Sequence, residues 1–276
     1  MSEISEQPLK RLPRFKPRSG IQVMYASIRA LFLRELQTRF GHYRIGYVWA
    51  LIEPALSVIF MLILFGAIVK RTLPGIEYPV FLINGILPFF VFKKAAMQSL
   101  SAVASNRGLL SYRSVKPIDT MIARTFLEFS LYFVCYLLLS SILIWIGFNI
   151  SFSHIPEILL FWVILLLISL GFGSIMMVIG SYSPEINKAL GPMFLILYFM
   201  SGAIFPLHRV PEQYLGYFLW NPLAHLFELL RHAAAPSYNM VSSTISLNYV
   251  LVCTMVVMFI GLLLYRASTE NMLKSK

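Results

Sequence analysis

Apolar residues dominate six stretches of this chain, at residues 48–69, 79–101, 118–148, 156–181, 187–205 and 246–266. Each has about the twenty residues that ~30 Å of hydrocarbon requires at a helical rise of 1.5 Å. Spanning segments of that length are helices, because only helices or closed barrels satisfy every backbone N–H and C=O in lipid. The pattern therefore predicts an all-α polytopic membrane protein with six transmembrane helices.

The segments between the stretches are not equivalent. Residues 1–20 are basic and hold Pro8, Pro13 and Pro17, the composition of a disordered tail. Residues 21–46 turn helical, with Met24, Ile28, Leu31, Phe32, Leu36 and Phe40 in a broad stripe and Arg34, Gln37 and Thr38 largely opposite. Such a segment fits an amphipathic helix in the membrane interface, or a helix packed on a partner. Residues 206–236 are apolar overall but broken by His208, Arg209, Pro211, Asn221-Pro222, His225, Glu228, Arg231 and His232. Two short re-entrant helices, near 211–219 and 222–234, are expected there, turning at Asn221-Pro222 and covered by protein or a water cavity. The six-helix domain then covers residues 47–266, and residues 267–276 read as a second tail.

Charge orients this arrangement. Of 23 Lys and Arg, only Lys70, Arg71, Arg209 and Arg231 fall on one side of the six spans; the rest lie on or beside the other. That imbalance puts both termini in the cytoplasm and the 206–236 segment in the periplasm. The net charge of +11 follows from the same asymmetry and calls for no nucleic-acid partner. A hydrophobic share of 58% excludes an ordinary soluble domain. Cys135 and Cys253 both sit in apolar spans, as small core residues. No cleavable leader pattern occurs in residues 1–30, so insertion is expected to rely on the first span.

Catalytic motifs are absent from the sequence. It has no G-x-x-x-x-G-K-[ST], H-E-x-x-H, G-x-S-x-G or CxxC, so no cofactor or ATP is expected to bind this chain. His225, Glu228 and His232 share one helix face at i, i+3 and i+7, but no fourth ligand accompanies them. They read as structural, and no metal is expected. Lys93 and Lys94 lie about 21 Å into their helix, where an ammonium snorkels or lines an anion path. Arg124 and Glu128, at i and i+4, can pair. Glu53, before Pro54, is either a partner of the helix kink or a gate residue. Phe194, Tyr198, Phe199 and Phe205 offer rings for core packing or for stacking on sugars. The cytoplasmic stretch 105–115 is too long and too apolar for a connector. It reads as a docking helix presenting Leu109, Leu110 and Tyr112.

Particular residues resemble a known family. Arg39-Phe40-Gly41, then Gly46-Tyr47-Val48-Trp49 with Glu53-Pro54, resembles the start of the membrane subunits of bacterial ABC-type polysaccharide exporters, of the ABC type 2 transporter membrane protein family. The likeness continues in Asn84-Gly85-Ile86-Leu87-Pro88, Lys116-Pro117-Ile118-Asp119, Phe205-Pro206-Leu207-His208 and Trp220-Asn221-Pro222 through Arg231. It covers about residues 25–270, and the Pro184-Glu185 turn fits the branch that exports capsules.

The resemblance implies a homodimer of six-helix permeases in the bacterial inner membrane, bound to two copies of a separate, KpsT-like ATPase that uses ATP and Mg. It implies a lipid-linked acidic capsular polysaccharide as cargo, with a Kdo linker, passed to periplasmic and outer-membrane export partners. Spans one and five of two protomers would form the channel, bordered by Phe194, Tyr198, Phe199, Phe205, Trp49, Glu53, Lys93 and Lys94. Coupling to the ATPase would use Asn106, Arg107, Leu109, Leu110, Tyr112, Arg113 and Glu185. The alternatives are a membrane-embedded transferase acting on lipid-linked sugars, for which only the 225–232 face offers polar groups, and an ion-coupled carrier, for which Glu53 alone is thin support.

Overall fold

Proline punctuates this chain where helices begin. The computed structural model describes residues 19–41, 46–66, 73, 75–112, 115–151 and 153–274, which form α1 (Gly20–Phe40), α2 (Gly46–Gly66), α3 (Tyr78–Leu100), α4 (Arg107–Leu110), α5 (Pro117–Ile146), α6 (Ile155–Tyr182), α7 (Asn187–Met200), α8 (Glu212–Leu219), α9 (Pro222–Ala234) and α10 (Leu247–Lys274). Pro79, Pro117, Pro156 and Pro222 occupy first-turn positions, where the missing N–H costs nothing. At the start of α1, Ser19 and Gln22 bond each other's backbone as a capping box. Helix α5 ends at Gly147, whose φ of 106° lets its N–H return to Ile144.

Helix α3 is the central post. Its residues from Val80 to Phe89 are buried on every side, as expected of a helix that is apolar all round. It packs on α5, α6, α9, α2 and α7, and α10 lies along α6. Between α5 and α6, Trp162 meets Phe133 and Tyr136 with ring centroids 5.1 and 5.0 Å apart. The one buried amide of the post, Asn84, donates to Val80 O at 2.8 Å and accepts from the Tyr136 hydroxyl at 2.9 Å. Helices α6 and α10 touch at Gly171 and Gly261; a Cβ on Gly261 would sit 2.5 Å from the Gly171 carbonyl oxygen. Small residues permit such close crossings of apolar helices.

Among the described residues, four helices are long and apolar enough to cross a membrane: α3, α5, α6 and α10 up to Met272. Helix α2 contributes a shorter apolar run, Leu51–Leu64, and residues 67–69 of its expected span lie outside the described residues. The span expected at 187–205 is shorter as a helix. Helix α7 has 14 residues, and the chain leaves it at Gly202, with φ of 63°. Two short helices, α8 and α9, stand where a pair is expected at 211–219 and 222–234. Residues 267–274 of the expected C-terminal tail continue α10, and Met272 is buried among Ala102, Val103, Met121, Met177 and Val178. Of the disordered tail expected over residues 1–20, residues 1–18 lie outside the described residues, and Ser19 and Gly20 are instead the cap and first residue of α1.

Candidate functional site

Helices α2 and α7 each pack on α3, and the three helices carry most of the residues expected to border a path. Glu53 of α2 and Lys94 of α3 form an ion pair at 2.9 Å, both substantially exposed. Lys94 is therefore matched by a carboxylate rather than left as a bare cation, while Lys93 is half-buried one residue before it. Trp49 is exposed on the same helix as Glu53.

The aromatic residues of α7 divide by direction. Leu190, Phe194 and Tyr198 form its buried edge. Tyr198 packs on Phe89 and Phe90 of α3 at 4.6 and 5.9 Å, and Phe194 on Phe92 at 6.3 Å. These two rings are core contacts of the protomer. Phe199 is exposed, and Phe205 lies between Phe199 and Phe218, 6.4 Å from each. The Tyr198 hydroxyl is buried with no hydrogen-bond partner among the described residues.

Beyond α7, the α8–α9 hairpin is pinned by a buried charge cluster. The Asn221 side chain caps α9, accepting from Leu223 N at 3.0 Å. One turn on, His225 Nε2–H donates to Leu219 O at 2.8 Å while Nδ1 accepts from Ser246 N at 3.2 Å. That arrangement uses the neutral imidazole, and burial pushes its pKa below the ordinary histidine value. His232 is likewise engaged, with Nδ1 2.9 Å from Tyr238 O.

Glu228 and Arg231 are both fully buried and pair at 3.0 Å. The Tyr238 hydroxyl donates to the Glu228 carboxylate at 3.0 Å. Arg231 also donates to Gly202 O at 2.8 Å and Ala203 O at 3.2 Å, and its guanidinium carbon lies 3.6 Å from the Phe81 ring centre. These bonds hold the turn that follows α7, at Gly202 and Ala203, against α9. The i, i+3 spacing of Glu228 and Arg231 was a local signal for the pair; the reach to 202 and 203 had none.

At the opposite end, the connector from α3 to α5 is two short turns, 104–106 and α4, rather than one helix over 105–115. Asn106 is buried, donating to Ala102 O at 2.8 Å and accepting from Arg34 of α1. It anchors the turn. Arg107 and Tyr112 are exposed, Leu109 and Leu110 half-buried, and Arg113 lies outside the described residues. Glu185 is exposed in the turn Pro184–Ile186 between α6 and α7.

Arg124 and Glu128 do not make the i, i+4 pair that their spacing allows. Arg124 pairs with Glu35 of α1 at 3.0 Å and donates to Gln98 O and Ser101 Oγ; Glu128 takes Arg39. Four charges on two helices thus clamp α1 to α5, and Arg34 extends the clamp to Asn106. The decisive residue is Glu35, a buried acid in an otherwise basic helix, four residues before Arg39.

A family model for the ABC-2 type transporter membrane domain matches residues 26–235. The chain belongs to that family. Within it, the chain is 46% identical over 258 residues to the polysialic acid transport protein KpsM of Escherichia coli, covering 94% of this chain and 99% of KpsM. It is 27% identical to the capsule polysaccharide export inner-membrane protein BexB of Haemophilus influenzae, over 74% of this chain and 77% of BexB. Likeness to CtrC of Neisseria meningitidis, another capsule polysaccharide export inner-membrane protein, is 25% over 85% of this chain and 88% of CtrC.

Proposed function

We propose that this chain is the membrane permease subunit of an ATP-driven exporter that moves capsular polysaccharide across the bacterial inner membrane. The observation that carries this reading is the likeness to KpsM along nearly the whole of both chains. A homodimer would bring together α2 and α7 of two protomers, which suits the large apolar side chains left exposed there, such as Phe60, Ile63, Ile196 and Phe199. Six spans per protomer, with α2 and α7 completing the four long apolar helices, would leave both termini cytoplasmic. Helix α1 would lie in the inner interface, held to α5 by its ion pairs, and α8–α9 would dip back from the periplasmic side.

ATP and Mg would act on two copies of a KpsT-like ATPase docked at α4. The cargo on this reading is an acidic, lipid-linked polymer with a Kdo linker, handed to periplasmic and outer-membrane partners. A cell lacking this chain should still make full-length polymer but keep it inside. Cytosolic polymer measured against surface capsule tests that. Loss of polymer synthesis itself would favour a transferase acting on lipid-linked sugars.

A further inference from the structure

The α4 turn is a ridge with a groove on either side. Leu109 lines the first groove with Val23, Ala26 and Ala30 of α1. Leu110 lines the second, an open groove of about 570 Å³ that Tyr265, Arg266 and Thr269 of α10 also line. The two neighbouring leucines thus serve different cavities.

The far wall is firm. Helix α10 has 28 residues, so its ~42 Å exceeds ~30 Å of hydrocarbon by about two turns. Those last turns are fixed by buried Met272 and by Asn271 Nδ2 donating to the Tyr182 hydroxyl at 3.0 Å. The lining of the second groove is largely apolar. Among the described residues it includes two cations, Lys116 and Arg266, and the Asp119 carboxylate acts on its wall at Lys116 and Tyr265. Tyr112, 63% exposed, stands at the mouth.

We propose that this groove between α4 and the end of α10 is a second docking site for the ATPase subunit, taking an apolar side chain flanked by carboxylates. The inference rests on the reading above, that a separate ATPase docks at α4. Complementary charge selects the occupant: an apolar slot carrying two cations discriminates for an acidic-edged segment and against a basic one. Bound there, the ATPase would grip α4 and α10 together. A stroke of the partner would then reach α6 directly, because α10 crosses it at Gly171 and Gly261.

The test uses the full-length chain co-expressed with its ATPase, with the amount of ATPase retained on purification as the readout. Three variants are compared: Lys116→Glu with Arg266→Glu, Thr269→Trp to fill the groove, and Leu109→Asp on the other side of the ridge. Thermal stability in detergent is checked for each. The groove variants should retain at least tenfold less ATPase at unchanged stability, and a photo-crosslinker at position 269 should trap the ATPase.

If Leu109→Asp releases the ATPase and both groove variants retain it fully, the groove is not a docking site while docking at α4 stands. If no variant changes retention, the docking reading itself fails. If crosslinks at position 269 go to phosphatidylglycerol in vesicles containing that lipid, and ATPase retention is unchanged, the groove holds an anionic headgroup and the proposal is overturned.

Discussion

Arg231→Met removes the cation from the most enclosed charge pair in the structure. Arg231 and Glu228 are each 0% exposed and 3.0 Å apart, so the substitution leaves a carboxylate buried with only the Tyr238 hydroxyl and the Val241 amide as donors. Breaking one half of a buried pair costs about 3–5 kcal/mol, because the remaining charge keeps its desolvation penalty. The carbonyls of Gly202 and Ala203 lose their donor as well. Methionine keeps most of the volume and its contact with Phe81, so the loss is electrostatic rather than a cavity.

At roughly 2–4 °C per kcal/mol for a chain of this size, the melting temperature should fall by about 10 °C. Glu228→Gln with Arg231→Met removes both charges and should recover most of that loss, leaving roughly 1–2 kcal/mol for the unpaired carbonyls. The assay is thermal unfolding in one detergent at one scan rate, followed by size-exclusion recovery. A single variant that melts like the parent, or a double variant that melts as low as the single, would refute the buried-charge reasoning.

Tyr198→Phe should melt at or above the parent because the hydroxyl has no partner, whereas Tyr198→Ala should lose about 3–5 kcal/mol of packing against Phe89 and Phe90; thermal melts rank the two, and a destabilised Tyr198→Phe would show that the hydroxyl is bonded. A double-mutant cycle on Arg124→Ala and Glu35→Ala should give a coupling of about 1–3 kcal/mol, and no coupling would mean that the α1–α5 clamp is not an energetic link. Gly261→Ala should lower the melting temperature by forcing α6 and α10 apart, while Gly191→Ala, with open space around its Cβ, should not; equal melts would refute the close crossing.

Much of the fold follows from local pattern. Runs of apolar residues mark the long helices because lipid imposes their length, and Asn221-Pro222 marks the α8–α9 turn because proline and a capping amide act within a few residues. The departures share one cause, contacts between residues far apart in the chain. The chain beyond α7 turns at Gly202 and Ala203, whose carbonyls are taken by Arg231 of α9. Helix α10 runs on because Met272 finds a buried place against α5 and α6. Arg124 and Glu128 choose partners on α1 over each other, which an i, i+4 rule has no means to anticipate. The candidate path shows the same limit: hydropathy identifies Phe194 and Tyr198 as membrane residues, but only packing tells that they face α3 while Phe199 faces outward.

The central claim is that this chain moves a polymer and relies on another subunit for ATP. It is tested most directly by reconstituting the purified chain in vesicles, with and without the KpsT-like ATPase, and measuring ATP hydrolysis as lipid-linked capsular polysaccharide is added. The expected result is no hydrolysis from the chain alone, basal hydrolysis with the ATPase, and a several-fold rise with cargo that Leu109→Asp abolishes. Polymer modified by the chain alone, or hydrolysis indifferent to both cargo and Leu109→Asp, would contradict it.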